Sequence, residues 1–192
     1  MTPAQLKKPK RFTLNLSKGF TLVELLVVVA ILGILAAILI LAINPAEAQR
    51  KSRDSTRLSD LATVRQSIDL SIANGATLPG TTAVPFTGTS TGSRDTTSTG
   101  NWVGMDVSEY LSVLPQDPRQ SATDTTLLSD GTTTIAAGSM VYEFVSNGDT
   151  YEINAYIESV NNAPFVSNDG GNQSLRYEIG TNPGLVLSTA TP

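Results

Sequence analysis

From Leu25 to Ile43 the chain runs through about nineteen residues without one charged side chain, and this block constrains everything else the chain can become. A helix needs ~20 apolar residues, rising 1.5 Å each, to cross the hydrocarbon core of a bilayer. Five basic residues precede the block (Lys7, Lys8, Lys10, Arg11 and Lys18), and the first nineteen residues hold no acid. That bias favours an N-terminus kept in the cytoplasm and a remainder placed outside the membrane. Arg50, Lys51 and Arg53 beyond the block weaken the bias without reversing it.

Composition narrows the chemistry. The 192 residues contain no cysteine and no histidine. Disulfide staples, Cys or His zinc sites, Cys nucleophiles and Ser-His-Asp triads are therefore excluded, and the carboxylates form no recognisable acid/base motif. The expected role is structural and not enzymatic. The formal charge of −4 hides a division. From Gly75 onward only Arg94, Arg119 and Arg176 oppose twelve carboxylates, a formal −9. Such a head repels polyanions, so direct nucleic-acid binding is not expected.

Three readings compete for the apolar segment. It is a plain anchor, or a secretory signal cut at Ala46-Glu47-Ala48, or a segment processed near its head. The run Lys18-Gly19-Phe20-Thr21-Leu22-Val23-Glu24-Leu25-Leu26 explains the most residues under the third. It closely resembles the processing site of type IV prepilins and pseudopilins. That resemblance implies a dedicated prepilin peptidase cutting after Gly19 and N-methylation of the new terminus, Phe20. It also implies that Glu24 pairs with the terminal amine of a neighbouring subunit. Residues 1–19 are then a basic leader and 20–43 the transmembrane and assembly half of a long helix. A carboxylate in hydrocarbon costs ~2.5–3.5 kcal/mol at a helix centre, so Glu24 needs a partner or the interface.

Leu58, Leu61, Ala62, Val64, Ile68 and Ile72 recur at spacings of three and four, which makes 44–74 the amphipathic half of that helix. Asn74-Gly75 supplies the stop. A continuous helix from Phe20 to that point would be roughly 80 Å long. Gly33 and Pro45 are its expected points of flexibility, with a kink or melted stretch between them on assembly. The basic group Arg50, Lys51, Arg53 and Arg57 reads as a solvated face, or as a contact for lipid headgroups and then for acidic heads of neighbours.

The head, 75–192, is expected to be a small antiparallel β-sheet packed on the helix, giving an α+β fold. Residues 76–100 read as an extended Thr/Ser/Gly loop, and Asp106–Leu114 as a short helix before Pro115-Gln116-Asp117-Pro118. Met140–Val145 and Tyr151–Ile157 form a hairpin about Asn147-Gly148, and Leu175–Ile179 is a third strand. Val141, Val145, Ile153, Ala155 and Ile157 are expected on one face. Asn168, Asp169 and Asn172 offer oxygen ligands for calcium, although such clusters also simply make turns. No other cofactor is implied.

The functional expectation is a subunit held in the membrane by a single span as a precursor, its head exported, and then built into an extracellular surface filament. Its partners would be further copies of itself in a helical homopolymer, the prepilin peptidase, membrane lipid before assembly, and the pilus or secretion machinery. A type II secretion pseudopilin is the alternative within the family. A non-polymerising, membrane-anchored binding module is the alternative outside it.

Overall fold

The computed structural model describes residues 19–97 and 99–185, so the basic run Lys7–Lys18 lies outside the described residues. The chain divides into two compact units, Met1–Ile43 and Asn44–Pro192.

The first unit contributes helix α1, Leu22–Ile43. Its Leu22–Ile40 stretch has a mean hydropathy of 3.1 and is 0% buried within the chain. Leu, Ile, Val and Ala surround the axis on every side, so no polar face exists to turn toward water. Gly33 lies inside this helix with open space around it.

The second unit opens on helix α2, Pro45–Ala73. Between the helices Asn44 takes a left-handed conformation, φ 44° and ψ 75°, and its Oδ1 accepts the Glu47 N–H. The single long helix expected from the sequence is thus two helices, interrupted at Asn44. Proline disfavours helical backbone at the residue before it, yet suits the first turn of a new helix, where its missing N–H costs nothing. Asparagine tolerates the left-handed region better than most residues. Asn74 ends α2, its N–H reaching the Leu70 and Ile72 carbonyls.

Among the described residues six strands follow: β1 (Phe86–Thr89), β2 (Thr126–Leu127), β3 (Thr134–Ile135), β4 (Glu143–Ser146), β5 (Tyr151–Tyr156) and β6 (Arg176–Gly180). Four of them form an antiparallel sheet in the order β1-β4-β5-β6, and β2 with β3 makes a separate small hairpin. A 3-10 turn at Val160–Asn162 leads into helix α3, Ala163–Ser167. The β4–β5 turn needs Gly148, whose φ of +88° few other residues adopt.

The core lies between α2 and one face of the sheet. Leu61, Val64 and Ile68 meet Trp102, Val103, Met105, Val107, Leu114, Tyr142, Phe144, Tyr151, Ile153 and Ala155. Two tyrosines cross this layer and place their hydroxyls on acids of α2: Tyr142 on Asp60 at 2.7 Å, Tyr151 on Asp69 at 2.5 Å. An aromatic ring in the core with a partnered hydroxyl at its rim satisfies both halves of the side chain.

Three local expectations are corrected. Residues 76–100 are not one loop: they contain β1, and Ser90 and Thr96 within them are buried. Asp106–Leu114 forms a turn, not a helix, with Tyr110 and Leu111 donating to the Val107 carbonyl. Val145 pairs with Glu152 and Phe144 with Ile153, so Val145 faces away from Ile153 and Ala155. Alternation along a strand permits either face, and the register chose.

Candidate functional site

The residues singled out at the head of α1 form a closed local arrangement. Thr21 stands just before the helix, and its Oγ1 accepts the Glu24 N–H at 3.2 Å. Glu24 Oε2 in return accepts the Thr21 N–H and the Thr21 hydroxyl, both at 2.9 Å. This is a capping box, in which side chains three residues apart satisfy each other's unpaired helix-start amides. The spacing Thr-x-x-Glu before an apolar run was in the sequence and is the signal for it. A carboxylate at this end also meets the positive pole of the helix. Glu24 Oε1 accepts no hydrogen bond from the described residues. Phe20 is 82% exposed, and no heavy atom of the described fold approaches the position a Cβ would take on Gly19.

A second constellation, in the other unit, was misread from sequence. Arg57 is not on a solvated face but fully buried. Its Nε donates to Asp117 Oδ2 at 2.6 Å and its Nη1 to Asp54 Oδ1 at 2.7 Å. Its Nη2 donates to Asp117 Oδ1 at 3.0 Å and Glu158 Oε1 at 2.6 Å. Arg53 adds a fork onto Glu158. Asp54 extends the cluster by accepting the Glu158 and Ser159 amides and the Asn162 side chain. Burial opposes the charge on Arg57, but Asp117 and Glu158 outweigh it and hold the guanidinium above its ordinary pKa. Burial likewise opposes ionisation of Glu158, and the hydrogen bond from Arg53 with the charge of Arg57 holds its pKa below the usual value. The cluster ties α2 to the Pro115–Pro118 loop and to the end of β5. Sequence reading missed it because an Arg at helix spacing among acids looks the same whether the helix is solvated or covered. The one available signal was an acid, Asp117, held between two prolines.

The candidate calcium residues make hydrogen bonds within and beside their loop. Asp169 Oδ1 accepts the Gly171 N–H and its Oδ2 the Glu178 N–H, each at 2.8 Å. Asn172 Nδ2 donates to the Gly184 carbonyl at 2.9 Å, and Asn168 Nδ2 to the Pro164 carbonyl at 2.8 Å. The Asp169–Gly171 bond is an Asx turn, and the others tie the loop to Pro164, Glu178 and Gly184. Among the described residues there is no group of three or more acidic, Cys or His side chains arranged to hold a metal.

The described head of the chain is thus a helix apolar on every side, opened by a glycine, an aromatic residue and a glutamate. Comparison with known proteins finds likeness in this same region. Residues 14–40 match the family model of the prokaryotic N-terminal methylation motif. The chain is 49% identical over 51 residues to a type IV major fimbrial protein, FimA, of Dichelobacter nodosus, covering 27% of this chain and 32% of that protein. A second FimA of the same organism is 43% identical over 74 residues, 38% of this chain and 44% of the relative. The chain thus carries the N-terminal methylation motif and resembles the type IV pilins. It aligns with less than half the length of these relatives. No solved structure matches it.

Proposed function

We propose that this chain is the precursor of a type IV pilin-like filament subunit, cut after Gly19, methylated on Phe20 and polymerised through α1. The observation that carries this reading is the state of Glu24. One carboxylate oxygen is committed to the Thr21 cap, and the other accepts no hydrogen bond among the described residues. A carboxylate at the start of a helix whose Leu22–Ile40 stretch has a mean hydropathy of 3.1 is costly in hydrocarbon unless paired. The terminal amine of a second subunit, created by cleavage before Phe20, is a partner of opposite charge. Pairing with it fixes the register of one helix against the next. The uncovered apolar surface of α1 is stabilised first by lipid and then by the same helix of other copies. The head, with its formal −9 from Gly75 onward, then forms a solvated filament exterior.

The test is the intact mass and N-terminal sequence of the protein from sheared surface material, for the wild type and for Glu24→Ala. A start at Phe20 carrying one methyl group, with filaments lost in the variant, is the expected outcome. A start at Met1, or at Gln49 after Ala46-Glu47-Ala48, would replace this reading with an anchored or secreted module. Normal methylated filaments from Glu24→Ala would remove Glu24 from the mechanism.

A further inference from the structure

The fold withdraws half of the basic group at the start of α2 from the surface. Arg57 is buried among three carboxylates, and Arg53 is forked onto Glu158. Arg50 and Lys51 remain. Arg50 lies 3.7 Å from Glu47, and Lys51 is exposed with no ion pair among the described residues.

Beside these two cations α2 holds a piece of chain from far along the sequence. Glu47 accepts the Ser159 hydroxyl at 2.5 Å and the Asn161 side-chain N–H at 3.3 Å. Between those anchors Val160 is 50% exposed, and on α3 Phe165 is 51% exposed. Its neighbour Val166 is buried and turns α3 inward on that side, which leaves the Phe165 ring outward. Two acids border the patch, and both are engaged. Glu47 is held by Ser159, Asn161 and Arg50. Asp130 stands next to Gly131, whose turn reaches Val160, and accepts the amides and hydroxyls of Thr132 and Thr133.

Single apolar side chains on a surface need no explanation, but covalent linkage constrains where these two can be. Glu47 is the fourth residue after Ile43, where α1 ends. Four residues of chain reach at most about 14 Å. Whatever angle the backbone takes at Asn44, the residue that holds the Ser159–Asn161 turn stays within that reach of the end of the apolar helix. The polar headgroup layer begins where a membrane span ends. Apolar and aromatic side chains beside basic ones partition into that layer, and the long stem of a lysine lets its ammonium reach a phosphate.

We propose that Lys51, Val160 and Phe165 form a contact of the head with the membrane surface. The two apolar side chains enter the headgroup layer, and Lys51 pairs with a phospholipid phosphate. The contact rests on the reading of α1 as a membrane span. It gives the anchored subunit a second attachment, which is broken when the subunit leaves the bilayer.

The test uses the full chain in vesicles of phosphatidylcholine and phosphatidylglycerol in equal parts, with a nitroxide label on the lipid headgroup. Tryptophan emission is read in Phe165→Trp and in Val84→Trp. Val84 is 71% exposed and follows the other end of α2, a helix roughly 44 Å long. The native Trp102 is 2% exposed and adds the same background to both. Flotation with the vesicles reports insertion of α1 independently. The expected result is that both variants float, that the label quenches Phe165→Trp strongly and Val84→Trp little, and that adding Lys51→Glu reduces the quenching at Phe165→Trp. A chain that floats but shows equal quenching at the two positions overturns this contact and leaves the membrane span standing. A chain that does not float overturns both. Quenching at Phe165→Trp that is lost on diluting the protein into more lipid assigns the patch to a second copy of the chain and overturns the lipid contact. Should Phe165→Trp fail to fold, broadening of the Val160 methyl signals by the same label in the unaltered chain supports the contact, and sharp signals overturn it.

Discussion

Helices α1 and α2 are neighbours in sequence and are held in the same backbone conformation by opposite means. The Leu22–Ile40 stretch of α1 is 0% buried in its own chain, and its local signals are an unbroken apolar sequence and a capping box at Thr21 and Glu24. α2 carries Ser, Thr, Asp and Arg throughout and would be marginal alone. It is held by Leu61, Val64 and Ile68 in the core and by an arginine with its three carboxylates. Helical periodicity is therefore weak evidence of what a helix is for. The environment of each helix decides, and in α2 that environment is partly ionic.

The largest test of this contrast is Arg57→Ala. It leaves Asp54, Asp117 and Glu158 buried without their common cation, and loss of one partner of a buried ion pair costs about 3–5 kcal/mol. Denaturant unfolding of the full chain in detergent, followed through Trp102, should show that loss. The lowered Glu158 value means its contribution is present above the ordinary carboxyl range and is lost as pH falls through the depressed value. Wild-type stability should drop in acid while the Arg57→Ala curve flattens there, and parallel curves would show that the cluster contributes nothing.

A matched pair of leucines sharpens the comparison. Leu61 is 1% exposed and Leu32 is 57% exposed. Leu61→Ala should lower the same unfolding free energy by about 2–5 kcal/mol, and Leu32→Ala should leave it unchanged. Equal effects would mean that α1 contributes to the stability of the head. The smallest effect is expected from Tyr151→Phe, which removes only the hydroxyl on Asp69, at about 0.5–1.5 kcal/mol by the same measurement.

Much of this architecture was legible in the residues themselves. The apolar block, the Thr-x-x-Glu box, the Asn74 stop and the Asn147-Gly148 hairpin are local signals: each is set by side chains within a few positions of one another. What escaped the reading were matters of partnership. Arg57 and Asp117 are sixty residues apart and join only because the fold brings the Pro115–Pro118 loop onto α2. β1 sits in a Thr- and Gly-rich stretch and forms because β4 supplies its hydrogen bonds.

The sequence by itself determined the membrane-length helix, its Thr-x-x-Glu cap and the order of helix then sheet, since hydrophobic period and capping act over a few residues. Only the tertiary structure decided which face of β4 and β5 is the core and which charges, Arg57 and Glu152 among them, are buried. Burial and electrostatic pairing depend on distance in space, and sequence separation does not report it.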